Sequence, residues 1–84
     1  MDKIDDALRA RLQRDAKGRV AVIVTLSDPM DDRLLEARGL DIAHRFEALG
    51  AVSGTIAADD VPALAALSQV ALVELDSEMH ASSG

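Results

Sequence analysis

Arg19-Val-Ala-Val-Ile-Val-Thr-Leu26 is the run from which the fold is read. It is apolar and β-branched on both faces, which marks a strand at the centre of a sheet. Successive side chains point to opposite faces, so Val20, Val22, Val24 and Leu26 share one side. Ala21, Ile23 and Thr25 share the other. Ser27-Asp-Pro29 follows with a capping side chain and a proline suited to a first helical turn. This predicts a helix over Met30–Arg38 that turns Met30, Leu34, Leu35 and the stem of Arg38 to the sheet, with Gly39 as a left-handed stop.

Leu40–Leu49 alternates as a second strand, with Ile42, His44 and Phe46 on one side. Gly50 marks a turn, and Ala51-Val-Ser-Gly-Thr-Ile-Ala57 is a third strand with Val52 and Ile56 inward. The short connection implies a hairpin, and Gly54 implies a gap or a bulge. Asp59-Asp-Val-Pro62 opens another helix, whose Val61, Leu64, Ala65 and Leu67 cover one face and which ends at Ser68-Gln69. Val70-Ala-Leu-Val-Glu-Leu-Asp76 is a fourth strand. Upstream, residues 2–15 read as a helix capped by Asp2, with Asp5 and Asp6 in its first turn and Arg9, Arg11 and Arg14 toward its end, an order that complements the helix dipole. Its apolar stripe of Ile4, Leu8 and Leu12 is narrow, which predicts a peripheral helix, ended by Lys17-Gly18.

From residue 19 the order is strand, helix, strand, strand, helix, strand. Two interleaved crossover units of that kind, each right-handed, give a ferredoxin-like α+β domain. Its four antiparallel strands carry both helices on one face, with the extra helix at the N-terminus. The chain then divides into an extension (1–18), the domain proper (19–76) and a tail (77–84). The second sheet face is left bare. Alternation places Ile23, Thr25, Ser53, Thr55, Leu72, Glu74 and Asp76 on it, and turns Ala71, Val73 and Leu75 inward. A small, mildly apolar, flat face is either an ordinary solvated sheet surface or a docking surface.

Composition narrows the function. At 84 residues the chain is one domain, and with Phe46 as its single aromatic residue the core must be built from Val, Leu, Ile and Ala. There is no cysteine, so thiolate chemistry and disulfides are excluded. A net charge of −6 with almost no aromatic residues argues against nucleic-acid binding and against anionic membranes. No stretch approaches the roughly 20 apolar residues of a spanning helix. The charged start Met1-Asp-Lys-Ile-Asp-Asp lacks the apolar segment of a signal peptide, so the expectation is a cytoplasmic protein as given, or a secreted one if it is cut from a longer precursor.

Catalytic machinery is not expected. His44 sits in a strand, His80 lies in a tail that cannot orient it, and no serine lies in a Gly-x-Ser-x-Gly elbow. The acidic pairs Asp5-Asp6, Asp31-Asp32 and Asp59-Asp60 lie at helix starts, where dipole complementation accounts for them better than a metal does. Neither a metal nor a cofactor is expected, and the glycines form no phosphate-cradling loop.

From Val20 to Ser82 the chain resembles the subtilisin propeptide-like inhibitors, the peptidase inhibitor I9 family. The likeness is carried by the opening strand Val20–Leu26, by Arg38-Gly-Leu-Asp-Ile42 and by Phe46 with Val52-Ser-Gly-Thr-Ile56. It is carried most specifically by Val70-Ala-Leu-Val-Glu-Leu-Asp76, followed by His80-Ala81. The resemblance implies a monomer that packs its open sheet face on two parallel helices of a subtilisin-like serine protease. Glu74 and Asp76 then cap those helices, and the tail lies in the active-site cleft as a substrate does. Met79 matches the fourth subsite, His80 and Ala81 follow, and Ser82 matches the primary specificity pocket. It also implies a second role, as a folding chaperone. Two readings of other classes remain: a small-molecule-binding regulatory module of the ACT type, which shares the strand–helix order, and a structural dimer formed through the open face. Ser27-Asp-Pro29 lacks the glycine common in the first loop of ACT modules.

Overall fold

Seven regular elements build the chain in the computed structural model, which describes residues 3–14, 17–27 and 32–76. They are α1 (Asp6–Arg14), β1 (Arg19–Leu26), α2 (Asp32–Ala37), β2 (Asp41–Phe46), β3 (Ala51–Ala57), α3 (Val61–Ala65) and β4 (Val70–Leu75). Short 3₁₀ turns at Glu47–Leu49 and Ala58–Asp60 lead into β3 and α3. The strands form one antiparallel sheet in the order β2-β3-β1-β4. β1 is central, as its two-faced apolar run requires. The fold is α+β and ferredoxin-like.

Alternation decides which side chains make the core. Val20, Val22 and Val24 pair with Ile56, Gly54 and Val52 of β3, and Val22 and Val24 also face Leu75 and Val73 of β4. All the valines of this set and Ile56 are buried, and they pack with Leu35, Leu40, Val61, Leu64, Val70 and Leu8 in one apolar cluster. Each such side chain contributes about 1.5–3 kcal/mol relative to exposure. With aliphatic side chains alone, stability rests on how completely these few groups interlock.

α2 ends as the glycine predicts. Gly39 has φ 99°, its N–H donates to Glu36 O (2.9 Å), and Leu40 N–H donates to Leu35 O (3.2 Å). That pairing is a Schellman stop, and the buried Leu35 and Leu40 supply its apolar contact. The turned-in residue of α2 is Leu35 alone. Leu34 is exposed, because neighbours on a short helix point apart. Met30 lies outside the described residues. The residues that Ser27 would cap, 28–31, lie outside the described residues. The Ser27 hydroxyl donates to Gln69 O (3.0 Å), and its N–H donates to the same carbonyl, tying the end of β1 to the approach to β4. Asp60 makes no side-chain cap at α3. α3 is shorter than expected, closing through Leu67 N–H to Leu64 O and Val70 N–H to Leu67 O.

Three further differences come from tertiary pairing. Residues 3–5 are extended rather than helical, with Ile4 bridging Val73 in parallel. The helix cap is therefore Asp5, not Asp2: Asp5 Oδ2 accepts from Ala7 N–H (3.0 Å), and its carbonyl accepts the first helical bond from Arg9 N–H. Asp5→Ala should lower stability by about 1 kcal/mol, read as a melting shift of roughly 5 °C. α1 is not peripheral either, since Leu8 is fully buried in the common core. At the other end of the sheet, Thr25 pairs with Leu72 but Leu26 pairs with Val70. Ala71 is the extra residue of that bulge and is exposed, while Val70 takes the inward place.

Candidate functional site

β2 carries the second bulge. Ile42 pairs with Gly54 and His44 with Ser53, so Ala43 is left over. The insertion reverses the expected grouping. Ile42 packs against the core, whereas His44 and Phe46 lie on the opposite side with ring centroids 6.1 Å apart. Arg45, on the core side, forms an ion pair with Asp32 of α2 and a longer one with Glu47 (3.9 Å). Gly54 is what allows this crossing. A Cβ there would lie 2.2 Å from the carbonyl oxygen of Asp41.

The registers arrange the open face in three rows across the strands β2, β3, β1 and β4. The first is Asp41, Thr55, Ala21 and Asp76, the last held by Asp76 N–H donating to Ala21 O (3.0 Å). The second is His44, Ser53, Ile23 and Glu74. The third is Phe46, Ala51, Thr25 and Leu72. Every expected open-face residue, Ile23, Thr25, Ser53, Thr55, Leu72, Glu74 and Asp76, lies in these rows. The middle is small and close-packed, with Ser53 7% and Ala51 7% exposed. Strands lie about 4.8 Å apart, so the face is about 14 Å wide. Arg19 reaches onto it, donating from Nη2 to Thr55 O (3.0 Å) and to Thr55 Oγ1 (3.3 Å).

Charge is distributed unevenly over this surface. Glu74 on β4 and Asp76 just beyond its end are two residues apart, about 7 Å, at the β4 side. Glu74 has no ion pair among the described residues. Asp41, His44 and Phe46 line the β2 side. The sequence reading did not put these three, or Arg19, on the face. Arg19 was within reach of simple alternation from Val20. His44 and Phe46 required the bulge at Ala43, for which Gly54 was the available signal. Met79, His80, Ala81 and Ser82 lie outside the described residues.

Among the described residues no group of three or more His, Cys, Asp or Glu could hold a metal ion, and no helix is long and apolar enough to cross a membrane. Set against family models, curated proteins and solved structures, the chain matches none.

Proposed function

We propose that the chain inhibits a subtilisin-like serine protease, docking by its open sheet face and laying its C-terminal tail in the active-site cleft like a substrate. A second role as a folding chaperone for that protease belongs to the same reading. The observation that supports it best is the open face: a flat centre of small side chains, free of helices among the described residues, with Glu74 and Asp76 at its β4 side. Surfaces of small residues let helices approach closely. Helices packed side by side lie 8–10 Å apart, which two carboxylates about 7 Å apart at the end of one strand can address together. A helix N-terminus carries unpaired N–H groups and partial positive charge, which a carboxylate satisfies. β4 leads directly into residues 77–84, so the strand that would dock also directs the segment that would enter the cleft, adding to the enzyme as an extra strand does.

The test is inhibition of a purified subtilisin, with mass spectrometry of the mixture over time. Dose-dependent inhibition with slow cleavage confined to residues 77–84 is expected, and the cleavage position identifies the primary-site residue. Rapid degradation throughout, with no inhibition, refutes the reading for that enzyme. Size-exclusion chromatography of the free chain should give a monomer. A dimer that masks the open face would favour a structural role instead. Changing Glu74 and Asp76 together to Ala should weaken inhibition roughly thirtyfold, from about 1 kcal/mol at each helix end. The melting temperature should move by no more than a few degrees. Unchanged affinity in the double variant would remove the capping roles.

A further inference from the structure

Among the described residues, α2 and α3 put little helix over the inner face of the sheet. α2 (Asp32–Ala37) supplies one fully buried side chain, Leu35, and α3 (Val61–Ala65) supplies two, Val61 and Leu64. Two such short helices cannot cover four strands, and β4 would be left with a raw edge. The N-terminal segment meets both needs. α1 is the longest helix described. It sets Leu8 in the core at 0% exposure, with Ile4 and Leu12 packed beside it.

The same segment closes the sheet edge. Val73 N–H donates to Lys3 O (2.8 Å), and Val73 O accepts from Asp5 N–H (2.9 Å). Val73 is itself fully buried, so these two backbone groups would otherwise be left unpaired beside an apolar side chain. Lys3 Nζ donates to Leu67 O (2.8 Å), in the turn between α3 and β4. One short segment thus grips the core, the edge strand and the turn that feeds it.

We infer that residues 3–14 are a built-in brace that keeps the domain folded before any partner arrives. The inference rests on the protease reading only for the partner's identity, and it deepens that reading. A preformed inhibitor does not lose the ordering free energy that a domain folding on its target must supply during binding. The brace also fixes β4 from its outer edge, and β4 carries Glu74 and leads into the tail.

The test uses the full chain without partner. The wild type should show a single cooperative thermal transition and slow hydrogen exchange at the Val73 amide. Leu8→Ala should lower the transition by roughly 10–20 °C, the scale for a truncated core leucine in a domain of this size. Asp5→Pro, which removes the N–H donated to Val73 O, should speed Val73 exchange at least tenfold beyond Asp5→Ala, which removes only the cap. Excess inactivated subtilisin should restore much of the lost transition in Leu8→Ala. The inference is overturned if Leu8→Ala melts within about 3 °C of the wild type, or if the wild type has no cooperative transition alone. A braced, cooperatively folded wild type that inhibits no subtilisin would instead refute the protease reading and leave the brace standing.

Discussion

A chain lacking residues 77–84 should melt as the full chain does and should no longer inhibit a subtilisin. β4 is the last element among the described residues. Among the described residues, Asp76 is the last joined to the sheet, through its N–H to Ala21 O, and every residue of the apolar cluster lies before it. The described cluster is complete on its own, with twelve buried side chains between Leu8 and Val73, so removal of residues 77–84 should leave the melting temperature within a few degrees. Inhibition is different, because a docked sheet face alone does not occupy the cleft. Three or four main-chain hydrogen bonds and filled subsites at about 1 kcal/mol each amount to a hundredfold to thousandfold in affinity. Within the tail, Met79 and Ser82 should matter most, as the residues assigned to the fourth subsite and the primary pocket. Enzyme assays with the shortened chain decide the matter. Full inhibition without residues 77–84 would eliminate the substrate-like mechanism and leave the open face to account for all binding.

Gly54→Ala should be the most damaging single-methyl change in the sheet. The added Cβ would lie 2.2 Å from Asp41 O, 2.9 Å from Asp41 C and 3.0 Å from Ile42 Cα. All three are backbone atoms, so no side chain can swing aside. β2 must move outward, which breaks its pairing with β3 and pulls the Arg45–Asp32 ion pair apart. We expect a loss of about 3 kcal/mol, the scale of overpacking with backbone displacement. The melting temperature of a domain this size should fall by about 15 °C. The open face should also lose Asp41, His44 and Phe46 from their rows. A Gly54→Ala variant that melts like the wild type would show that β2 can pass farther from β3 at no cost.

These two positions also show how far the residues themselves reveal the structure. β1 and β3 run over the residues their patterns mark, Arg19–Leu26 and Ala51–Ala57. Both are ruled by strict alternation, and both lie between other strands. β2 was legible as a strand but not in its facing. An extra residue at Ala43 carries no signature of its own, and it turns His44 and Phe46 away from Ile42. The same applies at Ala71, where alternation continued one residue too far. Glu74 and Asp76 were placed correctly because no bulge interrupts β4 after Leu72. The start of α1 was not legible, because Lys3, Ile4 and Asp5 are held extended by Val73, nearly seventy residues away. Local helix signals cannot register such a partner. Leu34 and Leu35 looked equivalent in sequence, and the way α2 lies on the sheet decides that Leu35 is the one buried.

The bond between Lys3 and Val73 has a consequence for synthesis. β1 is made before both its neighbours, yet it sits between β3 and β4, and the edge of β4 is closed by residues that are made before β1. No nascent chain that stops before residue 70 can complete the sheet or bury Leu8 and Val73 together. The contacts that define the native state span almost its whole length, so loop closure precedes most of the reward. Such a chain should emerge largely unfolded and close in one late step. Until then the Val20–Leu26 run, apolar on both faces, stays accessible.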